Sequence, residues 1–231
     1  MENEIAKPLE LLNPIEARIL GCLVEKAAIT PEVYPLTVNA LVAASNQKTS
    51  REPVMHLESG AVAHALRVME NRGLVKVAPA SQRAVRYEHR FDTTYGVTAR
   101  QRAVLCVMLL RGPQTLAELL TRTDRLAEFP GLDDVRDTLD RLIQRDPAFA
   151  LRLGRGSGQR EDRYMHLLCG PVAADAFVNP TPTPTPASAS RADANERIAR
   201  LEAEVDTLRD ELAGLHLRLD TLVDPDRTPQ T

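Results

Sequence analysis

Residues 66–75 read LRVMENRGLV and continue as KVAPASQRAVRYEHRF through residue 91. This is a helical stretch whose last turn runs through Gly73 into extended chain. Two short strands follow, LVKVA (74–78) and VRYEHRF (85–91), around a polar tip. A helix leading into a β-hairpin is the third helix and wing of a winged helix-turn-helix, where the helix can enter a major groove and the wing can reach the backbone. Upstream, Asn13 with Glu16 three residues later reads as an N-cap opening a helix with Ile15, Ile19 and Leu23 at helical spacing. The third helix is expected over about 58–72, with a further helix between the two.

The pattern recurs. Thr98 with Gln101 opens a second apolar helix containing Val104 and Met108. The offset that carries Asn13 onto Thr98 also carries Thr30 onto Thr115. ALRVMENRGLV (65–75) matches TLDRLIQRDPAF (138–149), and RYEH (86–89) matches RYMH (163–166). In the second copy the third helix is expected over about 132–145, with strands FALRL and RYMHLL around the tip GRGSGQRED. Two copies of one unit of about 80 residues is the economical reading.

Residues 180–190, PTPTPTPASAS, have no apolar periodicity and favour an extended, semi-rigid tether. Beyond it, Ile198, Leu201, Val205, Leu208, Leu212, Leu215, Leu219 and Leu222 alternate at spacings of three and four, an a/d seam over four heptads. Asp193 with Glu196 supplies its N-cap and Pro225 its stop, while Arg197–Glu202 and Glu204–Arg209 would pair across a parallel dimer. The competing reading is an amphipathic helix docked on the globular part. The expected organisation is winged-helix domain 1 (1–97), winged-helix domain 2 (98–178), a Pro/Thr/Ser-rich linker (179–192), a coiled-coil helix (193–223) and a disordered tail (224–231). The fold class is mainly α with small β-hairpin wings, an α+β arrangement of two tandem winged helix-turn-helix domains followed by a C-terminal coiled coil.

The segment TPEVYPLTVNALVAASNQKTSREPVMHLES (30–59), preceded by EARILGCLVEK (16–26), resembles the signature of the YceH family of bacterial proteins of uncharacterised function. RYMHL (163–167) and the C-terminal heptads fit the same pattern, so the resemblance spans essentially the whole chain. It implies tandem winged-helix domains and no transferable activity.

Composition narrows the function classes. The 231 residues are 43% hydrophobic and 26% charged, an ordinary globular balance. The longest uncharged apolar run (103–110) is far below the roughly 20 residues of a membrane span. With a polar N-terminus, MENEIAKPLE, the expectation is a cytoplasmic protein, and the resemblance implies a bacterial one. Residues 1–97 hold 11 basic and 11 acidic side chains, 98–178 hold 12 and 11, and 179–231 hold 6 and 10, so no segment is strongly basic. Of the 29 basic residues, 25 are arginine. The cysteines (Cys22, Cys106, Cys169) form no CxxC. The histidines form no HExxH, GRGSG lacks the GxxxxGK[ST] phosphate cradle, and no Gly-x-Ser-x-Gly elbow occurs. No enzyme, metal or cofactor is expected.

Two functions from different classes remain. In the first copy Arg67, Arg72, Lys76, Arg83, Arg86 and Arg90 fall on the third helix and wing, with Lys48 and Arg51 just before the helix and His64 on its outward side beside Ala61, Arg67 and Asn71. This set is the candidate DNA-binding surface, and about five neutralised phosphates would give a salt slope of about −4 to −5. The family motif residues Asn46, Gln47 and Glu52 offer a polar contact surface or, alternatively, a helix cap and a local Arg51–Glu52 pair. In the second copy Asp133, Asp134, Asp137 and Asp140 oppose phosphate binding, leaving its wing (Arg152, Arg155, Arg160, Arg163) or a protein-binding role. The leading expectation is a double-stranded-DNA binder of the transcription-regulator kind, acting as a coiled-coil homodimer. The alternative is a protein–protein adapter that uses the winged helices as docking surfaces.

Overall fold

A computed structural model of the chain describes residues 11–79, 84–154 and 161–172. The chain divides into two compact units, Met1–Asn179 and Pro180–Thr231, and the described residues all belong to the first. The linker, the heptad seam from Ile198 to Leu222 and Arg83 therefore lie outside the described residues. The fold is mixed α/β, with seven α-helices and two small antiparallel sheets among those residues.

The first repeat begins with α1 (Pro14–Ile29). The Asn13 Oδ1 accepts the Ile15 and Glu16 N–H groups at 2.9 Å, and the Glu16 carboxylate accepts the Asn13 N–H at 3.0 Å. After a 3-10 turn (Pro31–Val33) come β1 (Leu36–Thr37), α2 (Val38–Ser45), α3 (Ser59–Asn71), β2 (Val75–Val77) and β3 (Arg86–His89). Gly73 ends α3 with a positive φ, a conformation costly for any residue with a Cβ, and this lets the Leu74 N–H turn back to the Met69 carbonyl. The short α4 (Phe91–Tyr95) starts where the sequence suggests strand, because Phe91 is a core residue with 0% exposure.

The second repeat runs α5 (Ala99–Arg111), α6 (Leu116–Thr123), α7 (Leu132–Ile143), β4 (Ala150–Leu153) and β5 (Arg163–His166). Reciprocal caps Thr98/Gln101 and Thr115/Glu118 open α5 and α6. One alignment is corrected. Thr30 caps the C-terminus of α1, and the partner of Thr115 is Thr37, whose hydroxyl accepts the Ala40 N–H at the start of α2. The constant offset fails here because α1 is longer than α5 and the 3-10 turn follows it.

The sheets match as well. The first has the order β1-β3-β2, with Leu36 opposite Tyr87 and Val77 opposite Tyr87 on the other side. In the second, β4 pairs β5 with Arg152 opposite Tyr164, and Gln114 bridges Tyr164 where Leu36 bridges Tyr87.

One hydrophobic cluster runs through both repeats. Residues Glu16 to Val24 of α1 are all buried, as expected for a helix that is packed on every side. α1 lies on α5 so closely that a Cβ on Gly21 would meet Leu110 Cδ2 at 2.8 Å, and the Cys106 thiol donates to the Gly21 carbonyl at 3.3 Å. Tyr95 stacks edge-on to Phe149 with centroids 5.7 Å apart, joining α4 to the second repeat.

Candidate nucleic-acid interface

The residues between α2 and α3 carry the idiosyncratic NQKTSREPVM sequence. Its centre is a clamp that faces inward. The Arg51 side chain is fully buried, and its guanidinium donates to Glu25 Oε1 and Oε2 at 3.1 and 2.6 Å and to the Ala44 and Ser50 carbonyls. Burial would raise the Glu25 pKa, but the Arg51 bonds and charge outweigh it and hold the carboxyl below its usual value. Burial would likewise lower Arg51, and the Glu25 carboxylate reverses this. Arg18, 2% exposed, donates to the Ser45 and Pro53 carbonyls at 3.1 and 2.6 Å, and its burial lowers its pKa.

Asn46 holds the far end of the loop through its amide: Nδ2 donates to the Leu57 carbonyl at 2.9 Å and Oδ1 accepts the Leu57 N–H at 2.7 Å. The second repeat grips the loop too. The Glu52 N–H donates to the Leu110 carbonyl at 2.8 Å, and Arg111 donates to the Ser50 hydroxyl. Arg51 is therefore held in the interior, paired with Glu25 and not with its neighbour Glu52. Asn46 and Gln47 are half-buried, and the Glu52 side chain is exposed. Lys48, at the tip, is exposed.

The remaining expected contacts separate into two groups. His64 and Arg67 lie exposed on α3 without an ion pair among the described residues, with Gly60 and Asn71 exposed on the same helix and Ala61 half-buried. Arg72 turns back to the α1 cap, donating to Glu16 at 2.8 Å and to the Leu11 carbonyl at 3.0 Å. Arg86 donates to the Pro35 carbonyl at 2.8 Å, and Lys76 pairs with Glu88 directly across the hairpin. The sequence places six cations on this face together with Lys48 and Arg51. In the structure, Lys48, Arg67 and Arg90 remain exposed and unpaired among the described residues.

The second repeat presents a different surface at the same positions. Aligned on their first residues, Ser59 and Leu132, α3 and α7 set Gly60, His64 and Arg67 against Asp133, Asp137 and Asp140. The arginines of this repeat are neutralised locally: Arg136 by Asp133 at 2.6 Å, Arg100 by Asp134 at 3.1 Å, Arg163 by Glu118 at 3.0 Å, and Arg152 by Asp162. Exposed Arg125 and Arg141 make no ion pair among the described residues.

The interior holds no assembled reactive group among the described residues. Cys22 and Cys106 are buried and burial raises both pKa values, the opposite of an activated thiolate. Among the described residues no three His, Cys, Asp or Glu side chains are placed to hold a metal ion, and no helix is long and apolar enough to cross a membrane.

The sequence that builds this repeated helix-and-hairpin body matches, over residues 12–159, a family described as "Protein of unknown function, DUF480". The chain belongs to that family. It is 51% identical over 216 residues to a UPF0502 protein of Xanthomonas campestris (strain B100), covering 92% of this chain and 96% of that protein. It is 49% identical over 218 residues to one of Stenotrophomonas maltophilia (strain K279a), and 47% identical over 218 residues to one of Mesorhizobium japonicum. These cover 93% and 94% of this chain and 99% of each relative.

Proposed function

We propose that each repeat is a winged helix-turn-helix and that the chain binds double-stranded DNA through the α3 face of the first. The carrying observation is the exchange at matched helix positions: exposed Gly60, His64 and Arg67 on α3, where α7 has three aspartates. Together with exposed Lys48 on the loop that precedes α3, these groups favour phosphate, whereas the α7 carboxylates repel it. The binding is weaker than a cation count along the sequence suggests, because Arg51, Arg72 and Arg86 are engaged elsewhere. About three phosphates per protomer give a salt slope of about −3.

The heptads from Ile198 to Leu222 supply the second half of this proposal, a cytoplasmic homodimer on a long tether that raises the effective concentration of the second α3. The likeness to the YceH family accords with tandem winged helices and adds no activity. The competing adapter reading, without DNA contact, draws on the neutralised second repeat.

Fluorescence anisotropy of a labelled random-sequence duplex at about 50 and 200 mM salt tests the DNA reading. Binding should be micromolar or tighter, collapse with salt, and lose about two units of slope per bound protomer in the Lys48→Ala, Arg67→Ala variant. Absence of binding at low salt, or an unchanged slope in that variant, would overturn it. Sedimentation equilibrium of the full chain tests the dimer, and a strictly monomeric species rejects it.

A further inference from the structure

The second repeat holds a half-open cleft of about 280 Å³ between the start of α6, the start of α7 and the hairpin. Its floor is apolar, formed by Leu116, Ala117, Leu132 and the ring of Tyr164, with Arg136 and Asp162 at the rim. Leu132 is 43% exposed at the first position of α7, where no packing requires an aliphatic side chain. The matched position of the first repeat is Ser59, and Arg136 is matched by Ala63.

The rim charge selects the occupant. Arg136 is held by Asp133 and Arg152 by Asp162, so neither guanidinium is unsatisfied. Glu161, which also lines the cleft, and Asp140, whose charge acts on the Tyr164 hydroxyl, have no ion pair among the described residues. The unpaired charge lining the apolar floor is thus the Glu161 carboxylate, with Asp140 nearby and acting on Arg152 as well as on the Tyr164 hydroxyl. A duplex or a free anion would meet like charge, and the volume is at the lower limit for a drug-sized ligand or cofactor but adequate for one or two aliphatic side chains.

We propose that this cleft docks a short polypeptide segment in which aliphatic side chains are flanked by lysine or arginine. The aliphatic groups cover Leu132, Leu116 and the Tyr164 ring, and the flanking cations lie against Glu161 and Asp140. The second repeat is then a partner-binding module carried beside the nucleic-acid face of the first. This does not depend on the DNA reading, since it uses none of its residues.

The test is anisotropy of a fluorescein-labelled peptide of two leucines flanked on each side by two arginines, titrated with the full chain. Saturable binding in the micromolar range is expected. Replacing both leucines of the peptide by serine, or Leu132→Ser in the protein, should weaken it at least tenfold, and Asp140→Asn with Glu161→Gln about threefold or more. Lys48→Ala with Arg67→Ala should leave it unchanged, which separates this result from failure of DNA binding. Leu132 is exposed enough that its serine variant keeps the wild-type melting temperature, so a loss would report the surface. The proposal is overturned by absence of saturable binding. It is equally overturned if the serine peptide binds as well as the leucine peptide, which would be a general polyanion effect.

Discussion

The two repeats share a frame and differ in where they keep their charge. Caps, helix order and hairpin register coincide, yet the buried polar groups of the first repeat include the ionisable Glu16, Arg18 and Arg51, whereas those of the second are Gln114, Thr115, Thr123, Thr138 and His166. On the surface the order reverses: α3 is sparsely charged and α7 is acidic and cross-paired. The first repeat uses Arg18 and Arg51 to hold the α2–α3 loop, and that loop is bonded in turn to Leu110 and Arg111 of α5. The second closes the same connection with a shorter chain, 124–131 between α6 and α7 against 46–58 between α2 and α3, and makes no comparable ionic clamp among the described residues. Duplication thus preserves backbone geometry closely while electrostatics diverge, because exposed charges are worth little to stability and drift freely, whereas a buried pair cannot lose one member.

That asymmetry gives the largest predicted effect. Arg51→Met leaves the largely buried Glu25 carboxylate with Lys26 alone, 3.3 Å away, and should cost about 3 kcal/mol in urea unfolding. Adding Glu25→Leu should restore most of it, since replacing both members by apolar groups of similar size is often neutral. A loss of less than about 1 kcal/mol in the single variant would mean the clamp carries no stability. Comparable in size is Gly21→Leu, which drives a side chain into Leu110 where even a Cβ would sit 2.8 Å away. Overpacking of this kind should cost about 3 kcal/mol. Because the core is continuous, calorimetry should still show one transition, moved down as a whole; two separated transitions would contradict a shared core.

Acid should destabilise the shared core through one desolvated histidine in each repeat. His166 is 3% exposed, its Nδ1 has no hydrogen-bond partner among the described residues, and burial pushes its pKa down to about 4. The unfolded chain takes up this proton near the ordinary value of about 6.5, so stability is present at neutral pH and falls away between about pH 6.5 and 4, by about 2 kcal/mol at pH 5. In His166→Leu the slope in that window should flatten by this amount, measured as unfolding free energy against pH. The residual slope includes His89 in the first repeat, also held down to about 4, chiefly by burial and then by Arg102, and at its acid end Glu25, which Arg51 holds below its usual value. An unchanged acid slope in the variant would remove His166 as its source.

Much of the frame is readable from local chemistry. Asn13 and Thr98 each precede a glutamate or glutamine by three residues, and a capping box needs only that spacing. Gly73 and the matched RYEH and RYMH strands are equally local. Arg51 is not, because its partner lies 26 residues away and sequence separation hides a contact between helices. A clue exists in α1, where Ile19, Leu20, Cys22, Leu23 and Val24 wrap the helix on every side. A helix buried all round must pair the charges it carries, and Glu16, Arg18 and Glu25 therefore require interior partners. Thr30 invites alignment with Thr115 because a threonine signals a cap without saying which end, and only the folded chain shows that Thr37 opens the matching helix.

The smallest effect on stability sharpens the comparison most. Asp137 and Asp140 are exposed on α7, and the residues at the matched α3 positions are His64 and Arg67. The exchange Asp137→His with Asp140→Arg should change unfolding free energy by about 0.5 kcal/mol or less. It removes two carboxylates and adds one guanidinium on a helix that stands where α3 stands in its own repeat. If the helix face is what distinguishes the repeats, the salt slope of duplex binding should steepen by about one unit, the contribution of one additional neutralised phosphate. The reciprocal change, His64→Asp with Arg67→Asp on α3, should abolish the salt-dependent binding. Should the reciprocal change abolish binding while the graft leaves the slope untouched, the α3 face is necessary but insufficient. The difference between the repeats would then reside in the approach to the helix, where the long α2–α3 loop carries Lys48 and is clamped by Arg51, whereas the shorter α6–α7 connection carries Arg125 without a comparable clamp among the described residues.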